Sequence, residues 1–170
     1  MNRDDARRLR ELWDLREIEQ VILRLARATD RRDSEAILAC YHPDAVDDHG
    51  AFRGSAPDFA AWVPKTLAIF EATQHFLSPP RIELEGDVAR CETYCTAHHL
   101  FPRDDPGGAR DAIMGLRYVD RFERRDGAWR IARRTCVWDY TYIVPAGERW
   151  PFGPEWKLGR PDRDDPGNAM

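Results

Sequence analysis

The stretch YVDRFERRDGAWRIARR, residues 118–134, decides the fold. Both arms alternate bulky and polar side chains, and Asp126-Gly127 stands between them. Asp-Gly between two such runs is a strong hairpin signal, because both residues tolerate the positive φ that a two-residue turn demands. The spacing predicts strands from Ala112 to Arg124 and from Trp129 to Tyr142. Upstream, Val88 to Phe101 and Ile82 to Leu84 also read as strands, and Pro102 to Ala109 is a polar loop between two of them.

The chain before Pro79-Pro80 has a different period. Leu9, Leu12, Leu15, Ile18, Val21, Ile22 and Leu25 recur every three or four residues, which predicts a helix from Arg3 to about Thr29. Asp30-Arg31-Arg32-Asp33 breaks it, and Asp33 or Ser34 can cap a short helix near Glu35 to Cys40. A short strand through Val46 follows. Ser55 and Pro57 open a third helix, in which Pro64 predicts a kink or a break. Its pattern continues through Leu67 and Phe70 and fades at Gln74-His75-Phe76. Helices first and long antiparallel strands afterwards describe an α+β fold, a curved antiparallel sheet wrapped around N-terminal helices and enclosing an apolar cavity. Residues 1–145 form this unit, and the Pro-, Gly- and Asp-rich residues 146–170 are an irregular, partly disordered tail.

Composition narrows the partners. With 170 residues and a formal net charge of -4, the acids and bases are interleaved and no basic stripe exists for nucleic acid. No apolar run approaches the roughly 20 residues of a membrane span, and the first ten residues lack the apolar stretch of a signal peptide. A cytoplasmic protein without membrane partners is expected. Cys40, Cys91, Cys95 and Cys136 sit in apolar contexts and read as small core residues, with no second pair at zinc-ligand spacing.

The order helix, ATDRRD, short helix, YHPDAV, FRG, helix ending in TQHF, then the hairpin, resembles the nuclear-transport-factor-2-like superfamily over residues 10 to 142. It is most similar to the branch of polyketide cyclases, scytalone dehydratase, bile-acid 7α-dehydratase and hexachlorocyclohexane dehydrochlorinase. The resemblance implies a cone-shaped barrel. It also implies a catalytic aspartate after the first helix, matched by Asp30, and a histidine at the end of the third, matched by His75. Arg134 stands where the dehydrochlorinase has an arginine. Leu25 replaces a tyrosine of the bile-acid enzyme, and Ala97 falls near the place of a further acid.

The chemistry suits these residue types. Histidine has a pKa suited to removing a proton near neutral pH, and an aspartate on one ring nitrogen fixes its tautomer. Bland alternatives stand beside this reading. Asp30 can simply end a helix, His75 can sit against a helix dipole, and Arg134 can be solvated like Arg130 and Arg133. Strand parity puts Trp129 and Ile131 on one face and Arg134 on the other, unless a bulge re-phases the strand.

Tyr41, Trp62, Tyr94, His98, Tyr118, Trp138 and Tyr140 are the candidate substrate-binding residues, with core packing as the alternative. His98 and His99 point to opposite faces, so one of them can reach the cavity. On the first strand, alternation admits either Asp48 alone or Asp47 with His49. No cofactor or metal is expected, since no phosphate loop, dinucleotide fingerprint or nucleophile elbow is present. The expected function is a lyase, eliminating water or releasing formaldehyde from an aryl-propanoid diol, on a small apolar or aromatic substrate. A binding module or an isomerase is the alternative, and a dimer or trimer is the expected assembly.

Overall fold

The computed structural model describes residues 2–169; the terminal methionines lie outside them. Helix α1 spans Arg3–Asp30, and Asn2 and Asp5 cap it reciprocally, the Asp5 N–H donating to Asn2 Oδ1 at 2.8 Å. Its buried side runs from Asp14 to Ala28, whereas Leu9 and Leu12 stand exposed. Helix α2 is Ser34–Ala39, capped by the Asp33 side chain. Strands β1 (Tyr41–Asp48) and β2 (Arg53–Ser55) precede α3 (Ala56–Leu67). Pro43 falls inside β1, where the pairing register shifts and no ladder bond is asked of it.

Pro64 does not break the helix, which runs unbroken from Ala56 to Leu67. The carbonyl its ring leaves unpaired is that of Ala60, and the Ser34 hydroxyl donates to it at 2.7 Å. Replacing Ser34 with alanine orphans that carbonyl and should lower stability by about 1–3 kcal/mol, read from the urea midpoint.

The helix also stops at Leu67 instead of running to His75. Residues Ala72–Leu77 form strand β3, with Thr73, His75 and Leu77 alternating inward and Phe76 outward. Pairing along β5 overrides the continuing helical spacing.

Strands β4 (Arg81–Glu85), β5 (Val88–Leu100), β6 (Arg110–Arg125) and β7 (Ala128–Pro145) complete a seven-stranded sheet of order β2-β1-β7-β6-β5-β3, with β4 on the remaining length of β5. The β6–β7 turn has Asp126 at φ 51° and Gly127 at φ 79°, the two-residue geometry read from the sequence. The sheet is antiparallel except for β1, which runs parallel to β7, so it is mixed, and it does not close. The β6–β7 register slips at Ala132 and at Asp139, each leaving one extra residue on β7, and such bulges bend a strand. The core fills the space between the sheet and the helices, with Ile18, Leu25, Ile37, Phe122 and Ile131 essentially inaccessible.

Beyond Pro145 the chain is irregular to a short 3₁₀ turn at Pro166–Ala169. Arg149 meets Glu71, in the connection from α3 to β3, at 2.7 Å, and Arg31, at the α1–α2 corner, meets the buried Asp165 at 3.2 Å. No helix among the described residues is long and apolar enough to cross a membrane.

Candidate active site

An apolar cavity of about 260 Å³ opens between the helices and the concave face of the sheet. Asp30, at the C-terminal end of α1, and His75, in the middle of β3, meet at its wall. Asp30 Oδ1 accepts from His75 Nδ1 at 2.7 Å and from Thr73 Oγ1 at 2.9 Å, while Oδ2 accepts the His75 backbone N–H at 3.0 Å. Strand alternation places Thr73 and His75 on one face, so β3 grips the carboxylate three times.

A carboxylate accepting at Oδ1 requires the Nδ1 proton on His75, which leaves the Nε2 lone pair free. That atom has no protein partner among the described residues and is not sealed in. The contact that the family resemblance implied is therefore present, with His75 on a strand rather than a helix end.

Arg134 also reaches this cavity. The extra residue at Ala132 re-phases β7, so that Ile131 and Arg134 both point inward. Its guanidinium forks onto Asp120, Nε to Oδ1 at 2.8 Å and Nη2 to Oδ2 at 2.7 Å, and lies 4.0 Å over the Tyr118 ring. Burial is the largest single influence and would lower its pKa; the charge and hydrogen bonds of Asp120, with Tyr41 and Tyr118 beside it, together outweigh that and raise it well above the usual value. With its fork engaged, Arg134 shapes the wall and presents a face to the cavity, not a free phosphate- or carboxylate-binding fork.

Of the ring-bearing candidates, Trp62, Tyr118 and Trp138 line the cavity. Burial raises the Tyr118 hydroxyl well above its ordinary pKa, so it stays protonated. Tyr41 is buried one layer behind, its hydroxyl donating to Asp47 Oδ2 at 2.6 Å. Tyr94 and Tyr140 do not belong to the site. Both lie on the convex face, Tyr94 57% exposed and Tyr140 46%, because their parity on β5 and past the second bulge of β7 turns them outward.

His98 is misplaced for the same reason. Cys91, Cys95, Ala97 and His99 share the inward face of β5, and of the adjacent pair it is His99 that lines the cavity. The buried cysteines beside it give a parity signal that could have chosen correctly. Burial pushes the Cys95 thiol to about 11 and those of Cys91 and Cys136 to about 12, which makes them inert core groups.

His99 stands 5.5 Å from the His75 ring and 4.6 Å from Phe70, ring centre to ring centre. Burial, reinforced by His75, pushes its pKa from 6.5 down to about 4. Between those values the unfolded chain binds the proton and the folded one does not, so stability falls as pH drops from about 6.5 toward 4. His99→Gln should remove that slope. From pH 7 to pH 5 the wild type should lose about 2 kcal/mol more than the variant in urea unfolding.

One further pair was left open by the sequence. His49, just past β1, lines the cavity with Nδ1 hydrogen-bonded to Asp47 Oδ1 and its ring stacked on Phe59 at 4.7 Å. Of the two inward-facing options on the first strand, Asp47 with His49 is the one realised.

Comparison with known proteins bears on the family and the fold. Residues 10–135 match the SnoaL-like domain. Uncharacterized proteins of Mycobacterium tuberculosis and Mycobacterium bovis are 30% identical over 129 residues, covering 73% of this chain and 84% of theirs. Among solved structures, a hexachlorocyclohexane dehydrochlorinase from Novosphingobium barchaimii superposes with a TM-score of 0.74 at 16% identity, over 84% of this chain and 98% of that one. A putative scytalone dehydratase from Novosphingobium aromaticivorans superposes at 0.68 with 21% identity, over 82% and 97%. By its sequence match and its fold, the chain belongs to the SnoaL-like domain family of the nuclear-transport-factor-2-like superfamily.

Proposed function

We propose that the protein is a cofactor-independent lyase that removes a proton from carbon and expels a β-substituent. The observation that carries this reading is His75, oriented at Nδ1 by Asp30 and open at Nε2, in the wall of an apolar cavity. His75 Nε2 takes the proton, the C–H electrons become a double bond, and the leaving group departs with its pair. Asp30 stabilises the imidazolium that forms. Solved structures of a dehydrochlorinase and a putative dehydratase on the same fold support the reaction class.

The cavity bounds the substrate. At about 260 Å³ it lies just below the roughly 300–1,000 Å³ usual for ligand sites, and its lining is predominantly apolar. That favours one- or two-ring compounds over a steroid-sized skeleton, with Trp62, Tyr118 and Trp138 as the aromatic walls. Assembly as a dimer or trimer in the cytoplasm belongs to the same proposal, the exposed Tyr94, Tyr140 and Tyr142 of the convex face offering apolar contact area. The test is incubation with one- and two-ring secondary alcohols, alkyl halides and aryl-propanoid diols, followed by product mass. Loss of water, hydrogen halide or formaldehyde supports a lyase. Tight binding of these compounds without any conversion supports a binding module instead.

A further inference from the structure

The cavity holds a second histidine built like the first. His49 Nδ1 is tied to Asp47 Oδ1, Asp47 Oδ2 accepts the Tyr41 hydroxyl at 2.6 Å, and Asp47 is fully buried. As with His75, the carboxylate fixes the proton on Nδ1, and Nε2 has no protein partner among the described residues and is not sealed in. The two histidines come from distant parts of the sheet: β1 and β3 are separated by β7, β6 and β5, and both side chains line the one cavity. A structural histidine needs no buried Tyr–Asp relay behind it, and the His49 ring is held between that relay and Phe59 while the residue lines the cavity. His99, by contrast, has its Nε2 buried without a partner and is held neutral, so it is not the donor.

We propose that Tyr41–Asp47–His49 is the general-acid unit of the reaction, donating a proton from His49 Nε2 to the leaving group while His75 Nε2 takes one from carbon. This rests on the lyase reading and adds to it the class of substrate: one whose leaving group needs protonation, such as a hydroxyl, rather than only a halide. In one turnover the C–H pair becomes the double bond and the C–O bond breaks with its electrons on oxygen. His49 gives its Nε2 proton to that oxygen and becomes neutral, and His75 becomes the imidazolium. Proton exchange with water restores both. Buried Asp47 balances the charge of the protonated His49, and Tyr41 holds Asp47 in place; both are positioning residues.

The probes are 5-nitrobenzisoxazole and unsubstituted benzisoxazole, bicyclic aromatics that lose a C–H proton and expel a phenoxide. The nitrophenoxide leaves unaided; the parent phenoxide is more basic and gains from a proton donor. His75→Ala should slow both by about 100-fold or more. His49→Gln should slow the parent by about tenfold or more, less than the roughly 100-fold or more of full general acid catalysis because a phenoxide also leaves partly unaided, and change the nitro compound by less than about twofold. Asp47→Asn should show the same split, which a merely structural role would not produce. Equal loss of both probes with His49→Gln, or loss of neither, overturns the acid assignment while leaving His75 standing. Insensitivity to His75→Ala overturns the lyase reading itself, whatever His49 does. No acceleration of either probe by the wild type overturns both.

Discussion

His75→Ala should abolish turnover of any true substrate, with kcat falling about 10²–10⁴-fold and the fold unchanged. His75 donates one backbone and one side-chain hydrogen bond to Asp30, and the backbone bond survives the substitution. Truncation enlarges a cavity already present, so thermal unfolding should shift little. The companion is Asp30→Asn. An amide turned to donate from Nδ2 toward His75 Nδ1 drives the imidazole proton to Nε2 and occupies the lone pair that must receive the substrate proton. A fall of about 100-fold or more in kcat, with KM little changed, is the expected result, since Asp30 acts through His75 and does not touch substrate. Equal activity of Asp30→Asn and wild type would show that the carboxylate is only a helix-end anchor for β3.

The largest expected effect on stability lies on β6 and β7. Arg134 and Asp120 form a buried fork at 2.7–2.8 Å, with the Asp120 side chain at 0% exposure. Removing one partner leaves the other charge uncompensated, which costs about 3–5 kcal/mol. Asp120→Asn or Arg134→Leu should each lower Tm by roughly 6–20 °C in a chain of this size. Replacing both together with Leu should recover most of the loss, because a buried ion pair contributes little beyond a well-packed apolar pair. If the double variant is as unstable as the sum of the singles, the pair is not coupled. Arg134 also stacks on Tyr118 in the cavity wall, so activity of the double variant should fall even where its stability is restored.

How far the sequence reached depended on whether the signal was local. The β6–β7 hairpin follows from Asp126-Gly127, whose turn chemistry is written in two residues. The meeting of Asp30 and His75 is not local: nothing in either segment brings residues 45 apart together, and only the family resemblance placed them in one site. His75 itself was put on a helix because Leu67 and Phe70 continue a helical spacing, and only pairing with β5 shows the segment to be a strand. Arg134 looked outward by simple alternation, and a single extra residue at Ala132 reversed that. A bulge leaves no mark in a period-two pattern until the partner strand is known. Tyr94, His98 and Tyr140 failed through parity, a matter of phase rather than residue type. His49 was legible only as one of two phases, and the buried Asp47 and Tyr41 behind it decide between them.

The parallel pairing of β1 with β7 has a consequence for how the chain is made. Before β7 exists, β1 can pair only with the three residues of β2, so the wall that carries His49 waits for residues 131–135. On the ribosome, most of the chain must emerge before this edge of the sheet can zip up. Such long-range closure slows folding and leaves strand edges open to wrong partners. A nascent chain arrested before Ala128 would therefore present one open edge on β1 and one on β6, and chaperone capture should peak at that length and fade once the last strand has docked.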